Sequence, residues 1–386
     1  MSRRIVLAAC VAIVFACRSE EERAPPASAA DVELRTLLGV PEHFQLPWIP
    51  PENPPTAARI ELGRHLFYDE RLSGNQTQSC GSCHEQALAF SDGKQRPQGS
   101  TGVFHPRNSQ GLANAAYFTT LTWANDGLRT LEEQIRVPLL SDRPIELGLV
   151  DGVREEALAR LEADPVTFAR FEEAFPNEGG GVTLNKVILA LSSFVRSMIS
   201  GSSRFDRYAQ GDTEALTPQE RDGLVLFGGE RFECFHCHGG LLMSVSYRDA
   251  NNPDPNPIFF NNGLYNVDGE GAYPESGQGL IELTGDPSDM GAFRPPSLRN
   301  IELTAPYMHD GSFETLRDVL GHYAAGGTNR TDGPHAGDGR LNPFKSNFVR
   351  GFDATEEELD SVEAFLRSLT DAELVSDPRF SDPEED

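Results

Sequence analysis

Two pentapeptides constrain this chain more than anything else in it. Cys80-Gly81-Ser82-Cys83-His84 and Cys234-Phe235-His236-Cys237-His238 each place two thiols three residues apart, with a histidine directly behind. That is the attachment signature of c-type haem. The two thiols can form thioethers to the vinyl groups on one porphyrin edge. The histidine is then turned over the ring face, where it can bind the iron. A four-cysteine zinc site would use the same cysteines but gives no reason for a histidine after each pair. A thioredoxin-like dithiol expects one such pair beside a βαβ pattern, which the sequence lacks.

The other two cysteines, Cys10 and Cys17, lie at the N-terminus. Arg3-Arg4 precedes an apolar stretch, Ile5 to Ala16, too short to span a bilayer. It reads as an export signal over 1–17, with Cys17 as the lipidated first residue of a mature lipoprotein. The alternatives are cleavage at Cys10 or an ordinary secretory signal. On this reading the protein sits in the periplasm, anchored to the outer membrane. Residues 18–45 form a polar tether.

The 386 residues suit two or three domains. The net charge of −26 repels nucleic acid and anionic headgroups, so nucleic-acid binding is excluded as the main task. One haem motif falls in each half. Leu66-Phe67 with Glu70-Arg71 precedes the first, and Leu226-Phe227 with Glu230-Arg231 precedes the second. This faint duplication predicts a mainly α fold of two tandem cytochrome c-like haem domains with long loops, over 46–205 and 206–375, followed by an acidic tail at 376–386. Capping boxes at Thr217/Glu220 and Thr355/Glu358 start helices. An apolar stripe from Val187 to Ile199 predicts another. Residues 153–175 read as one or two exposed helices. Asp249 to Gly279, rich in Asn, Pro and Gly, reads as a long surface loop.

From about Pro54 to Leu369 the chain resembles the bacterial di-haem cytochrome c peroxidases and the related MauG enzymes. The resemblance rests on Arg107-Asn108, Trp123, Leu131 to Gln134, Pro138, Glu146-Leu147-Gly148, Pro296 to Asn300, Thr304 to Gly311, and Thr315-Leu316 leading to His322-Tyr323. The stretch around Leu121 to Asn125 looks closest to the MbnH branch, whose members modify a tryptophan on a copper-binding partner.

The resemblance implies roles position by position. His84 binds the N-terminal haem, whose far face stays open to peroxide. Gln134, Pro138 and Glu146 match that distal pocket, although the stretch from Pro138 to Glu146 is slightly longer than the family pattern. A carboxylate there can move a proton during O–O cleavage. Trp123 matches the relay between haems, and Asn108, Thr304 and Pro306 match an inter-haem Ca2+ site. His238 binds the C-terminal haem, with Tyr323 as sixth ligand and Met308 as the competing candidate. A thioether favours reduced iron, and a phenolate favours oxidised iron. His236 reads as an incidental exposed imidazole. MauG carries a surface tryptophan where this chain has Phe232.

The implied function is an enzyme that uses hydrogen peroxide to form a high-valent di-haem state and oxidises a tryptophan on an exported partner. The alternative is a cytochrome c peroxidase that takes electrons from a small cytochrome c or cupredoxin. A non-catalytic di-haem electron carrier is the third reading.

Overall fold

The computed structural model describes residues 28–384. The expected export signal, with Cys10 and Cys17, lies outside the described residues. Among these residues no helix is long and apolar enough to cross a membrane.

Helices dominate. In chain order they are α1 (Ala29–Leu38), α2 (Ala57–Tyr68), α3 (Leu131–Gln134), α4 (Arg136–Leu140), α5 (Val153–Ala163), α6 (Pro165–Ala174), α7 (Leu184–Ser197), α8 (Arg204–Ala209), α9 (Pro218–Phe227), α10 (Ile281–Thr284), α11 (Leu316–Ala324) and α12 (Glu356–Arg367). Two minimal antiparallel pairs accompany them. β1 (Phe260–Asn261) pairs with β2 (Ala292–Phe293), and β3 (Asn329–Arg330) pairs with β4 (Gly337–Asp338).

The expected helix starts are present. Thr217 Oγ1 accepts from Glu220 N at 3.2 Å while Thr217 N donates back to the Glu220 carboxylate at 2.8 Å. Thr355 and Glu358 make the same exchange at the head of α12. Two orphan amides are satisfied each time. The helical stripe at 153–175 becomes two helices because Asp164-Pro165 breaks it, and Asp164 caps the second. These two are not wholly exposed: Ala157, Leu161 and Phe171 are buried.

Two crossed helix pairs organise the two main cores. In the first, α2 crosses α7 where Gly63 meets the Ala190 carbonyl and the Phe194 side chain. In the second, α9 crosses α12 where Gly223 meets the Ser361 carbonyl and Phe365. In each case a missing Cβ lets two helix backbones touch. Leu66, Phe67, Phe90 and Phe194 belong to one core, and Phe227, Phe232, Val362 and Phe365 to the other.

The segment between α7 and α8 pins the cores together. Asn114 and Asn300, both in the left-handed region, donate to the Ser200 carbonyl and hydroxyl respectively. Asp371 accepts from Ser200, Gly201 and Ser202. Arg299 and Asp206, 2% and 3% exposed, form a bidentate pair at 2.8 and 2.9 Å.

Three expectations need correction. The described part of the stretch read as a polar tether, 28–45, holds α1, and Leu38, Val40 and Phe44 are buried in the first core. The segment 249–279 is not simply a surface loop: Leu264, Tyr265 and Tyr273 are buried and, with Ala124 and Phe293, build a third core. The C-terminal stretch folds back on the first core. Phe380 is 2% exposed and packs edge-on to Phe90, and Tyr68 donates to the Phe380 carbonyl at 2.6 Å.

Candidate functional site: two haem-attachment turns and the cavity at the second

Each CxxCH motif winds as one 3₁₀ turn, Cys80–Ser82 and Cys234–His236, closed by a bond from the second cysteine N to the first cysteine O. The next few residues then hold the histidine. His84 Nδ1 lies 2.7 Å from the Phe90 carbonyl, and His238 Nδ1 lies 3.2 Å from the Met243 carbonyl. A carbonyl only accepts, so each Nδ1 carries the proton and each Nε2 keeps its lone pair for a metal. Phe90 and Met243 both have positive φ, 63° and 50°, which turns their carbonyls back onto the imidazoles.

The four thiols are unpaired. Burial pushes Cys80, Cys234 and Cys237 up to about 12 and Cys83 up to about 11, so they rest as thiols. A shared zinc site is excluded by geometry. Among the described residues the one close cluster of metal-binding side chains is Glu230, Glu233 and His236, and it contains no cysteine. His236 is therefore not an idle exposed imidazole. It is half-buried, pairs with Glu233 at 2.8 Å and stacks on Phe348 at 4.0 Å.

A cavity enclosing about 1700 Å³, its solvent-open mouth included, lies against the second turn. Cys234, Cys237, His238 and Tyr323 line it, as do Trp123, Asn108, Thr304, Pro306 and Met308. The residues present fit a haem there. The cavity offers two thiols and an imidazole on one wall. Arg294, 2% exposed, faces it over the Phe118 ring at 4.4 Å. Its hydrogen bonds run to neutral oxygens, on Thr122, Pro295 and Gln110. Burial pushes this guanidinium down to about 9. A buried cation held only by neutral acceptors calls for an anion, and a haem propionate is one.

Tyr323, on α11, and Met308 both reach this cavity. Asn262 stands between them: its amide donates to Met308 Sδ at 3.4 Å and bonds to the Tyr323 hydroxyl. Burial holds the phenol above its ordinary range, while the Asn262 bond works the other way.

Trp123 donates Nε1–H to the Asn108 carbonyl at 2.9 Å, and Asn108 N donates to the His309 carbonyl at 2.8 Å. This chain links the first half to the wall of the second cavity. Phe232 is 3% exposed and packs on Phe352 at 4.1 Å.

On the first side, Glu146 sits in a loop strapped to α4. Leu147 N donates to the Pro138 carbonyl at 2.9 Å, and Leu149 N to the Leu139 carbonyl at 2.8 Å. Burial pushes the Glu146 carboxyl up to about 7. It lies close enough to Cys80 and Cys83 to raise both thiols, behind burial. Gln134, one helical turn before Pro138, has a buried Oε1 with no hydrogen-bond partner.

Sequence reasoning missed His105, whose Nε2 lies 3.5 Å from Glu146 Oε1 and which burial keeps neutral. It also missed Asn262 and Arg294. His105 stands two residues before Arg107-Asn108, and that proximity was the one available signal.

A mainly helical chain with two covalent haem-attachment turns, each backed by an oriented histidine, defines a di-haem c-type oxidoreductase. The comparisons agree. The family model for di-haem cytochrome c peroxidase matches residues 57–214. Cytochrome-c peroxidase IdrP1 of Pseudomonas sp. strain SCT is 34% identical, over 86% of this chain and 86% of its own. The methylamine utilization protein MauG of Methylorubrum extorquens is 30% identical, over 89% and 87%. A crystal structure of a MauG-like protein associated with microbial copper homeostasis superposes with a TM-score of 0.88 at 46% identity, covering 89% of this chain and 98% of that one. This chain belongs to the di-haem cytochrome c peroxidase/MauG family of oxidoreductases.

Proposed function

We propose that the protein reacts with hydrogen peroxide at its first haem and uses the two oxidising equivalents to oxidise a tryptophan on a partner protein. The observation that carries this reading is Tyr323. It shares the second cavity with Cys234, Cys237 and His238, with its hydroxyl bonded by Asn262. Met308, the thioether alternative, has its sulfur engaged by the same amide. A His238/Tyr323 pair favours oxidised iron and makes the second haem a poor acceptor from a typical cytochrome c.

The haems, when bound, supply the two-electron reduction of peroxide to water and hold the oxidising equivalents. The chain does the rest. His84 and His238, each held through Nδ1 with Nε2 free, would bind the two irons. Glu146 takes the proton of the incoming peroxide and returns it to the departing oxygen. Gln134, with its unpartnered Oε1, orients the incoming O–H, and Pro138 anchors the Glu146 loop. Trp123, hydrogen-bonded to the Asn108 carbonyl, relays charge between the halves. Asn108, Thr304 and Pro306 line one wall and offer the oxygen ligands that Ca2+ prefers. Residues 46–205 and 206–375 form the two haem domains.

The partner is an exported, copper-binding protein with an oxidisable tryptophan. Support comes from the 46% identity to a MauG-like protein associated with microbial copper homeostasis. An outer-membrane lipoprotein anchor at Cys17 keeps the enzyme among envelope neighbours.

The alternative, a peroxidase fed by a small cytochrome c or cupredoxin, draws support from the relatives named cytochrome-c peroxidase and from Met308 in the same cavity. The charge of −26 would suit a basic donor at low salt. Redox titration and near-infrared spectroscopy of the peroxide-treated holoprotein separate the two. A low-potential second haem and a charge-resonance band are expected. A high-potential second haem with fast turnover on cytochrome c would overturn the proposal.

A further inference from the structure

The proposed reaction needs an outlet for oxidising equivalents, and the structure closes the obvious one. Phe232, where MauG carries a tryptophan, is a buried phenyl ring that is hard to oxidise. The sequence holds two tryptophans. Trp123 is interior to the relay. Trp48 lies beneath the Arg248 guanidinium at 4.8 Å, and a cation over an indole opposes loss of an electron from it.

A different set of rings leaves the second cavity. Phe293 and His309 line its wall and stack at 3.8 Å. His309 lies 6.2 Å from Tyr273 and 6.5 Å from Tyr265. These two tyrosines meet edge-on at 5.4 Å. Tyr265 is 6.0 Å from His335, which is exposed. Trp123 packs against the same core.

The two tyrosines differ in one respect. The Tyr273 hydroxyl is held by Asn261 Oδ1 at 2.9 Å, an amide that cannot take a proton. The Tyr265 hydroxyl donates to Asp310 Oδ2 at 2.5 Å, a carboxylate that can.

From this geometry we propose that Tyr265, paired with Asp310, is a redox relay that carries oxidising equivalents from the second haem cavity to the surface near His335. The proposal rests on the reading of a two-equivalent oxidant given above.

The step balances. One hydrogen peroxide, reduced to two waters, supplies two oxidising equivalents. For each, Tyr265 gives one electron inward and its hydroxyl proton to Asp310, leaving a neutral tyrosyl radical. That radical then takes one electron from an indole on the partner and recovers the proton from Asp310. Two such passages withdraw two electrons from the partner. Arg330 stands over the Tyr265 ring at 4.5 Å. A guanidinium there penalises a radical cation but not a neutral phenoxyl, so it ties electron loss to proton loss.

The competing tyrosine is Tyr247. It donates to Asp249 at 2.8 Å and stacks on Tyr117, but neither ring lines the cavity or touches one of the aromatic rings that do.

The test uses holoprotein carrying ring-deuterated tyrosine, freeze-quenched after hydrogen peroxide and read by electron paramagnetic resonance. The expected organic radical signal narrows on deuteration, disappears in Tyr265→Phe and survives in Tyr247→Phe. In Asp310→Asn the radical forms about 10²-fold more slowly, as expected when a positioned proton acceptor is lost. A signal unaffected by deuteration, or lost in Tyr247→Phe and kept in Tyr265→Phe, overturns the proposal. The deuteration arm uses unmutated protein, so a variant that fails to fold cannot rescue the idea. Near-infrared absorption keeps two failures apart: without the charge-resonance band in wild type the functional reading fails. With the band and no tyrosyl signal only the relay fails.

Discussion

Glu146 gives the most exposed test of the peroxide chemistry. Its side chain, 34% exposed, extends from a loop held close to Gly99 at Ile145 and by the Ser100 N bond to the Glu146 carbonyl at 2.7 Å. Burial raises it from 4.5 to about 7. The neighbouring His105 is held neutral by burial, so no cation offsets the shift. A base acts in its deprotonated form. The rate of peroxide reaction should therefore be flat above about pH 7 and fall tenfold per unit below it. At pH 5, two units below, about 1% of the carboxyl is ionised and the rate should be about a hundredfold lower. Stopped-flow absorbance of the holoprotein against hydrogen peroxide, from pH 5 to 8.5, measures this directly.

Glu146→Gln keeps the shape and removes the base. The rate at pH 8 should drop by about 10²–10⁴, and the inflection should vanish. Thermal stability supplies an independent readout. A carboxyl whose folded value is raised favours the folded state at low pH, and that contribution is lost as pH climbs through about 7. Wild type should therefore lose melting temperature relative to Glu146→Gln between pH 4.5 and 7. An inflection near pH 7 that survives in Glu146→Gln and vanishes in His105→Asn would refute the assignment and move the base to His105.

Tyr323→Met should raise the potential of the second haem and abolish the near-infrared band, as read by spectroelectrochemistry. Gly63→Ala would drive a Cβ into the Ala190 carbonyl and to 2.7 Å from Phe194 Cβ. The two helices must part, so denaturant unfolding should show a loss of about 1–3 kcal/mol. Arg299→Met leaves Asp206 charged and buried with its guanidinium gone, and should cost about 3–5 kcal/mol in the same assay. Chelation of Ca2+ from the Asn108, Thr304 and Pro306 wall should lower the melting temperature, and added Ca2+ should restore it.

The parts legible in the sequence are those in which a short motif fixes its own geometry. A CxxCH turn, a capping box and a helical stripe depend on neighbours a few residues away, and all three stand where expected. The segment 249–279 was read as surface because it is rich in Asn, Pro and Gly. Its backbone is instead held in the interior by amides, one outside the segment and one within it. Asn342 Nδ2 bonds the Tyr265 and Gly271 carbonyls at 2.8 and 3.0 Å, and Asn266 Oδ1 accepts from Gly271 N at 2.8 Å. A buried irregular backbone needs side-chain partners where a helix needs none. Polar composition therefore concealed a core. The same holds at 376–384, where Asp377, Asp382 and Glu384 flank the buried Phe380 in sequence. His105, Asn262 and Arg294 answer to partners far away in sequence, and no local spacing reports them.

The two halves share a scaffold but not an environment on the side opposite the histidine. Both use a glycine at a helix crossing, a 3₁₀ cysteine turn and a carbonyl that fixes the histidine. Identical scaffolds would give two haems of similar behaviour. The difference comes from outside the duplicated parts. In the first half the α3–α4 region and the loop after it bring Gln134, whose Oε1 is an unpartnered hydrogen-bond acceptor, and Glu146, a carboxyl that can move a proton and that burial pushes up to about 7. In the second half, α11 and the 249–279 segment bring Tyr323 and Asn262, which line the cavity. The Asn108–His309 and Asn108–Trp123 bonds cross between the two environments. On the proposed function one half is fitted to react and the other to hold charge. The aromatic core that Trp123 touches is also the one that contains Tyr265. On the proposal above, charge held in the second cavity would border a tyrosine with a proton acceptor already in place, Asp310, and this arrangement would serve in place of an exit at Phe232.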